Sequence, residues 1–542
     1  MKIFGRNAIF VAAAFFLGFL ACGCWDQTTG GMQGDSAELK DLGSTIESLA
    51  NVIVPQPMKV EGYGLVSGLR GTGSSECPPR IRAYLTRYIR KQLPGGSNLD
   101  IDKYIDRPDT AVVLVEGVIP PLLPKGRYID VLVSTLPGTQ TTSLEDGWLF
   151  ETELRVAGSF GVAMRVPADA KGPIFTDRLG ASPADSKIGH ILAGGKALEN
   201  RRIMLVLKKP DLEMTNRIRN RINGRFGRGT ARAITAGQIE LNVPAGYSRR
   251  PQMFIGMVRT TYLTQEPQLN QKRIAVHVRR LAESPDKIAS EVALEAIGNE
   301  CLDELSVLLK SPDERVRFHA ARCTLNLGGE AGLLALREIA LNNSSPLRFD
   351  ALLAITVGAA RNDAAAVSRM LLKDENFLAR LAAYEQLREL DDTVVSQEQI
   401  AGNFFIERIS QTKEKVIFVY RTGQPRVVLF GSPISCRGNI FLGSADGDIT
   451  INAPSGAKYV TIIRKHPKRP DVIAQLRSSF EVGDIVRTLC DDPLKKGEKG
   501  RGGLGVTYAD AIVLLKQMCD KGAVQAEFHA GPMPNFALNV KK

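Results

Sequence analysis

The residue types that carry out most enzyme chemistry are scattered through this sequence. The five histidines lie far apart, at positions 190, 277, 319, 466 and 529, and none stands in an HExxH pattern. The serines at 432 and 444 occur as Gly-Ser-Pro and Gly-Ser-Ala, which do not form the GxSxG turn of a nucleophile elbow. The eight cysteines show no CxxC pair with metal spacing. The sequence therefore predicts a protein that is not an enzyme and that holds no metal or cofactor.

A second arrangement that could do chemistry is the glycine-rich stretch 59–74, KVEGYGLVSGLRGTGS. Glycines let backbone amides approach an anion, so a phosphate loop has to be considered. The spacing argues against it, because one residue too many separates the second and third glycines for a dinucleotide fingerprint, and no Gly-Lys-Ser/Thr follows. Alternation with apolar side chains favours a kinked, closely packed strand and turn instead. The predicted packing and turn residues are Gly62, Gly64, Gly68, Gly71 and Gly73.

Basic residues form two groups that could bind an anion. The first lies on a helix predicted to begin at Pro78-Pro79 and to run through Leu93, with an apolar stripe at helical spacing. Its basic residues fall largely outside that stripe and predict a solvated face, with a specific anionic contact as the alternative. They are Arg80, Arg82, Arg87, Arg90 and Lys91.

The second basic group lies on a helix that Pro210-Asp211 is predicted to open, because proline fits a first helical turn and a carboxylate is favourable at the helix's positive end. A net charge of +12, from 70 Lys and Arg against 58 Asp and Glu, makes an anionic neighbour plausible. We expect this group to contact an anionic partner or another subunit, with plain solubility as the alternative. Its members are Arg217, Arg219, Arg221 and Arg225.

The N-terminus predicts export. Lys2 and Arg6 precede an apolar run at 8–21, which suits the hydrophobic part of a secretory signal. The run ends in a lipobox-like sequence in which either Cys22 or Cys24 could be lipidated, and simple cleavage is the alternative. A lipid anchor would hold the mature protein on a membrane. We predict a signal peptide at 1–24 and a flexible, Gly-, Ser-, Thr- and acid-rich tether at 25–48.

Short strands dominate the next part of the chain. Residues 110–117, TAVVLVEG, read as a β-branched strand, and 126–133 as a turn that feeds an alternating strand, with more strand expected in 144–156. Strand follows strand without intervening helices. The sequence therefore predicts an α+β fold and not a doubly wound one.

Two long motifs resemble the flagellar P-ring protein family. The first comprises VEGYGLVSGLRGTG at 60–73 and AVVLVEGVIPPLLPKGRYIDVLVSTLPGTQTTSLEDGWLFETEL at 111–154, with Asp146-Gly147 where the family has two glycines. The second, at 205–244, is similar to the family's strand, Pro-Asp helix start and Ile-Asn-x-Arg-Phe-Gly exit. The resemblance implies a structural protein of the periplasmic ring around the flagellar rod, which acts as a bushing for rotation.

That resemblance also implies the partners and the location. They would be further copies of the chain in a ring, the flagellar rod and outer-ring proteins, with peptidoglycan as a candidate partner and a membrane reached through the lipid anchor. The location would be the periplasm, at the flagellar basal body. Nucleic acid is not an expected partner. The alternative function is a cell-envelope lipoprotein scaffold that keeps the P-ring-like fold but binds a protein or peptidoglycan outside the flagellum.

A repeat of 31 residues begins after about residue 286. The hexapeptides VRFHAA at 316–321, LRFDAL at 347–352 and LARLAA at 378–383 occupy equivalent positions, and IASEVALEAI at 288–297 is a weaker copy. Small residues at fixed positions of paired helices predict HEAT-like stacking. Such an array either binds an unknown protein or spaces the flanking domains. The P-ring family lacks this block.

The C-terminal part returns to strands. Runs such as VIFVY at 416–420 and RVVLF at 426–430, separated by turn residues, predict a small β-rich module. Residues 505–527 resemble the C-terminal helix and exit of the P-ring family, so the repeats would be an insertion. The predicted domains are a P-ring-like α+β region at 49–284, HEAT-like repeats at 285–393, a β-rich module at 394–470 and a P-ring-like helical segment at 471–542.

Overall fold

A computed structural model describes residues 41–92, 100–159, 165–179, 186–466, 469–494 and 502–536. The predicted signal peptide, with Cys22 and Cys24, lies outside the described residues. Residues 41–48 fell within the predicted tether, but the structure differs there: Leu42 and Ile46 are completely buried. Two isolated apolar residues give no periodic signal, so the polar composition around them does not reveal their burial. Helix α1 (Ile46–Leu49) leads directly into strand β1 (Ala50–Ile53).

A closed barrel follows, with strands in the order β2-β3-β4-β7-β6-β5. Adjacent strands pair antiparallel, and the alternate residues that point inward are Val, Ile, Leu and Ala. Two helices, α2 (Pro79–Gln92) and α3 (Ile101–Ile105), cover Leu65 and Val112 on the outer side of the barrel. The strands are β2 (Met58–Ser67), β3 (Thr110–Ile119), β4 (Tyr128–Thr135), β5 (Trp148–Val156), β6 (Ala168–Pro173) and β7 (Ile188–Ala197).

The chain then builds a separate sheet in the order β1-β8-β10-β9, in which all pairs are antiparallel. Its strands are β8 (Ile203–Leu207), β9 (Ala231–Thr235) and β10 (Gln238–Leu241), and helix α4 (Leu212–Phe226) connects β8 to β9. Asp211 caps α4, because its carboxylate accepts a hydrogen bond from the Met214 amide at 2.5 Å. Gly227, with φ of 102°, ends the helix. Ile218 and Ile222 are buried, as the predicted apolar stripe requires.

A succession of helices follows. The predicted repeat hexapeptides fall at or near the starts of α9, α11 and α13, and α8, α10 and α12 connect the repeated helices. Buried alanines let these helices pack closely, as at Ala320, Ala351 and Ala382. The helices are α5 (Pro251–Thr260), α6 (Pro267–Glu283), α7 (Lys287–Ile297), α8 (Leu302–Leu308), α9 (Glu314–Asn326), α10 (Glu330–Leu341), α11 (Arg348–Gly358), α12 (Arg361–Leu371) and α13 (Phe377–Glu389).

The remainder of the chain forms two sheets and two helices. One sheet has the order β11-β12-β14-β13-β19, with parallel pairs between β12 and β14 and between β13 and β19. The other is the antiparallel series β15-β16-β17-β18. The strands are β11 (Ser396–Ile400), β12 (Phe404–Ile409), β13 (Val416–Val419), β14 (Arg426–Phe430), β15 (Ile440–Gly443), β16 (Ile449–Ala453), β17 (Val460–His466), β18 (Arg469–Ser478) and β19 (Glu527–Ala530). The helices are α14 (Val482–Cys490) and α15 (Tyr508–Asp520).

The described residues divide into two compact units. The barrel unit contains 56–200 and 394–536, and the helical unit contains 41–55 and 201–393. A cluster of buried side chains joins Phe175 and Leu192 of the first part of the barrel unit to the strands and helices after residue 394. The mixed α+β class is confirmed, and the predicted domain boundaries stay a prediction. Among the residues that the structure describes, no helix has the length and apolarity needed to cross a membrane.

Barrel closure occurs where the glycine-rich strand β2 meets β5. The two strands pair at Val60 and Glu61 and again at Val66 and Ser67, and the ladder is irregular between them. A Cβ atom on Gly62 would lie 2.2 Å from the carbonyl oxygen of Glu153. A Cβ on Gly64 would lie 2.5 Å from Oγ1 of Thr152. The missing side chains are therefore what lets β5 lie against β2 and close the barrel.

Replacing Gly62 with alanine should lower the stability of the barrel unit. The new methyl group collides with backbone, which cannot rotate away as a side chain can, so we expect a loss of about 2–3 kcal/mol. Thermal unfolding followed by circular dichroism measures it. Gly438→Ala is the matched control in the same unit, since its Cβ meets no atom within 4 Å. An unchanged melting temperature in Gly62→Ala would contradict the proposed cause of closure.

Candidate functional site

The turn after β2 is held by charges. Gly68 and Gly71 have φ values of 84° and 82°, which glycine adopts without strain. Between them, Arg70 binds Asp146 at 2.7 Å and Asp448 at 3.3 Å. Gly73 lies so close to β3 that a Cβ would be 2.1 Å from the carbonyl oxygen of Thr110. The turn therefore links the barrel to the hairpin between β15 and β16.

The same ion pair involves Asp146, which stands where the resemblance leads us to expect a glycine. Asp146 has φ of 61°, in the left-handed region where glycine fits freely and where aspartate is among the better-tolerated other residues. Its carboxylate makes the 2.7 Å contact with Arg70. Gly147 is still required, because a Cβ there would lie 2.6 Å from Val66. Of these two neighbouring positions, 146 therefore has room for a side chain and 147 does not.

Three further polar contacts hold the two parts of the barrel unit together. The partly buried carboxylate of Asp130 accepts hydrogen bonds from the amides of Ala193 at 2.6 Å and Gly423 at 2.9 Å. Burial raises the pKa of Asp130 despite these two bonds. Arg178 binds Asp510 at 2.7 Å, and Arg421 binds Asp177 at 2.7 Å. The segment after residue 394 is thereby fastened to the barrel by specific bonds as well as by apolar packing.

The four arginines of α4 do not form one free basic surface. Arg225 donates to the carbonyl oxygens of Glu295 at 2.7 Å and Ala296 at 3.1 Å, which belong to the last turn of α7. Arg221 donates to the carbonyl oxygen of Tyr262 at 2.9 Å. Arg219 contacts the side chain of Asn220, and Arg217 is exposed. Two of the four therefore bind within the helical unit, and these contacts involve backbone atoms that sequence cannot place.

A buried acid–base cluster lies between α7 and α9. Both carboxylate oxygens of Glu291 accept hydrogen bonds from Arg322 at 2.6 Å, and one also contacts Nδ1 of His319 at 2.6 Å. Burial by itself would raise the pKa of Glu291, but the charge and hydrogen bonds of Arg322, with those of His319, hold it below its usual range. Both oxygens of Glu291 are therefore paired within the fold.

A second buried acid lies one turn along α7. Glu295 accepts hydrogen bonds from Arg250 at 2.9 Å and from Asn326 at 3.1 Å. Burial raises the pKa of Glu295 to about 7, and the nearby Glu291 carboxylate adds to the shift while Arg250 opposes it. Glu291 and Arg322 are separated by 31 residues, as are Glu295 and Asn326. Sequence reasoning missed this cluster, although the polar residues at equivalent repeat positions were a signal for it.

A third polar group fixes the start of the described chain to α6. The completely buried Arg273 donates to the carbonyl oxygens of Leu42 at 2.8 Å and Thr264 at 2.9 Å, and its guanidinium lies 3.9 Å from the centre of the Tyr262 ring. The Tyr262 hydroxyl lies 3.1 Å from Nε2 of His277. Burial lowers the pKa of His277 to about 4, so this imidazole is uncharged at neutral pH.

These polar groups stabilise the fold. Each titratable member is held by a charge, a backbone group or an aromatic ring, as buried polar groups require. Among the described residues, no group of three or more His, Cys, Asp or Glu side chains could hold a metal ion. The bonds described here connect elements that are distant along the chain, so the groups support tertiary structure.

Comparison with known proteins finds similar proteins for one part of the chain. Residues 45–280 match the family model of the flagellar P-ring protein. The chain is 32% identical over 216 residues to the flagellar P-ring protein of Anaeromyxobacter sp. (strain K), which covers 37% of this chain and 55% of that protein. It is 32% identical over 224 residues to that of Nitrosomonas europaea, covering 38% and 57%.

A more distant relative gives the same result. The flagellar P-ring protein of Escherichia fergusonii is 28% identical over 242 residues, which cover 41% of this chain and 62% of that protein. The chain thus spans between about half and three fifths of the length of these relatives. The resemblance to the P-ring family is confirmed over residues 45–280, a range that contains the barrel, the sheet β1-β8-β10-β9 and most of α6. The HEAT-like assignment of the later helices and the C-terminal resemblance stay predictions.

Substitutions at Arg217 and Arg225 test whether the bonded arginine, and not the exposed one, stabilises the helical unit. Arg225→Ala removes two charge-assisted bonds to the end of α7, so we expect it to destabilise the helical unit by about 1–3 kcal/mol. Arg217→Ala, which removes the same charge from an exposed position, should change stability by less than about 0.5 kcal/mol. Chemical denaturation of the full chain measures both. Equal effects would contradict the assignment of Arg225 to the interior contact.

Glu295 should make the stability of the helical unit depend on pH. A carboxyl whose folded pKa is raised stabilises the fold below its unfolded pKa of about 4.3, and that contribution is lost as pH rises toward 7. The loss is on the order of 3 kcal/mol for a shift of this size. We expect Glu295→Gln, which mimics the protonated acid, to flatten the decline in melting temperature between pH 5 and pH 8.

The exposed Glu338→Gln supplies the matched control for Glu295, since it removes the same charge from α10. It should leave the pH dependence of the melting temperature as it is in the unmodified protein. A Glu295→Gln protein with the original pH dependence would show that this carboxyl is not the group responsible.

Proposed function

We propose that this protein is a structural component of the P-ring that surrounds the flagellar rod. The observation that carries the proposal is the match of residues 45–280 to the family model of the flagellar P-ring protein. The relatives named above carry the same description over the same part of the chain.

The mechanism we propose is that of a bushing. A closed ring of identical subunits needs head-to-tail interfaces, so each subunit must present two complementary surfaces. Rigidity within each subunit then limits the sideways movement of the rotating rod. The closed barrel, its tight β2–β5 contact and its ion-paired connections to the segment after residue 394 supply such stiffness.

The finer assignments belong to the same proposal. The protein would be exported by the signal at 1–24 and held on a membrane through Cys22 or Cys24, at the periplasmic part of the basal body. Its partners would be further copies of itself and the rod and outer-ring proteins, with peptidoglycan as a further candidate. Support for these assignments comes from the sequence of the N-terminus and from the family resemblance.

A second function is favoured by the part of the chain that the family model does not cover. Residues 281–542, which include most of the stacked helices, lie outside the match. We propose as the alternative a cell-envelope scaffold that retains the P-ring-like region and binds a protein partner through helices α7–α13. The two functions differ in where the protein is found, because only the first places it in the basal body.

Deletion of the gene should abolish or severely reduce swimming, because the rod would lose its bushing. Spreading in soft agar measures motility, and electron microscopy of isolated basal bodies should show the inner parts retained and the P-ring missing. Complementation with the full chain is the control for effects on neighbouring genes. Normal motility and intact rings in the deletion strain would overturn the proposal.

Basal bodies isolated from a strain with a tagged chain separate the two functions. The first function requires the chain to copurify with rod and ring components, which mass spectrometry detects. The scaffold function requires the tagged chain in the envelope fraction but absent from pure basal bodies. Gly438→Ala in the tagged chain is the control: its new Cβ meets no atom within 4 Å, so the substitution should leave the location of the chain unchanged.

A further inference from the structure

Two cysteines of the helical unit lie in one apolar cluster. Cys301 occupies the turn between α7 and α8, and Cys323 lies in α9. Both side chains are completely buried, in a cluster that includes Ile274, Leu281 and Leu305. In the structure each cysteine is a free thiol. The fold therefore brings two thiols from different elements into the same apolar interior.

The two sulfur atoms lie against the same helix, α7. Sγ of Cys323 is 3.8 Å from the carbonyl oxygen of Glu291. Sγ of Cys301 is 3.6 Å from the carbonyl oxygen of Leu294 and 3.1 Å from that of Gly298. Carbonyl groups three residues apart on a helix are separated by about 4.5 Å along its axis, so the two thiols are neighbours. The adjacent Cys301 thiol, together with burial, raises the pKa of the Cys323 thiol well above its usual range.

Packing by itself does not require sulfur at these two positions. One 31-residue repeat later, the corresponding residues are Gly332 and Ala354, and both are buried. Small residues therefore suffice at the equivalent positions of the next helix pair. A pair of neighbouring thiols, by contrast, can form a covalent bond, which neither glycine nor alanine can do.

We propose that Cys301 and Cys323 form a disulfide bond that joins the start of α8 to α9. The reaction is thiol–disulfide exchange with a protein that carries an exchangeable disulfide. The two cysteine sulfurs join and lose two protons and two electrons, and the donor's disulfide takes up both and becomes two thiols. Disulfides persist in the compartments that receive exported proteins, so the inference rests on the export that belongs to the proposed function.

Burial determines when this bond can form. The thiolate is the species that attacks a disulfide, and the raised pKa of Cys323 leaves little thiolate in the folded chain. Exchange therefore takes place while the helices are still folding and both sulfurs are accessible. Once α7, α8 and α9 have packed, the same burial shields the bond from reductants. The bond thus serves a structural purpose and closes a loop that contains α8.

Peptide mapping of the full chain tests the proposal. The chain is isolated from the cell envelope with its free thiols blocked by N-ethylmaleimide, and is then digested without reductant. Trypsin releases the peptides 288–310 and 323–337, which carry Cys301 and Cys323. We expect the two peptides to be joined and to separate when reductant is added. Blocked thiols on both peptides, or either peptide joined to a different cysteine, would overturn the proposal.

Melting temperatures provide a second measurement. Reductant should lower the melting temperature of the unmodified protein, because the bond restricts the unfolded chain. In the double variant Cys301→Ala with Cys323→Ala, this reductant-dependent fall should be smaller by about 4 °C or more. Lost packing affects the double variant equally with and without reductant, so the difference isolates the bond. An undiminished fall in the double variant would contradict the proposal.

The buried Cys490 of the barrel unit supplies the matched control. The Cys490→Ala chain should keep the joined peptides and the full effect of reductant. The location of the chain separates this inference from the proposed function. Unjoined peptides in a chain recovered from the envelope would overturn the disulfide alone, whereas a chain missing from the envelope would overturn export and the disulfide together. Swimming of the deletion strain tests the ring independently of both.

Discussion

The close approach of β2 and β5 is the contact on which the barrel unit depends. A sheet of this size closes only if its first and last strands meet, and side chains larger than hydrogen at Gly62 and Gly64 would hold them apart. Closure leaves no exposed sheet edge in the barrel and encloses one apolar core. The turn that carries Arg70 follows directly, so the same strand also positions the ion pairs with Asp146 and Asp448.

The helical unit depends on a different constraint, which is the pairing of buried charges. A buried guanidinium such as Arg273 costs several kcal/mol to desolvate unless carbonyl oxygens and aromatic faces replace water. Arg273 has both, and Arg322 is paired with Glu291. These bonds are directional, so they specify how neighbouring helices align where small residues alone would let them slide.

The sequence predicts the helices and strands of this protein better than it predicts which of them pair or pack together. Sequence patterns predict the glycine-rich strand, helices α2 and α4 and the 31-residue period. Each of these features depends on residues that lie close together along the chain. The pairing of β19 with β13 was not, since the strands are separated by about a hundred residues that carry no signal for it. For the same reason the sequence predicts an external contact for Arg221 and Arg225, whereas in the structure both bind backbone carbonyls of later segments.

Helix α6 explains how a P-ring-like region can be continued by stacked helices. The family match ends at residue 280, three residues before α6 ends. Arg273, inside the match, anchors Leu42, while Ile274 and Leu281 pack with Leu294, Cys301 and Leu305 of the next elements. Helix α6 is therefore both the last helix of the matched region and the first of the helices that pack one after another beyond it. The helices that follow α6 extend an apolar surface that α6 already presents.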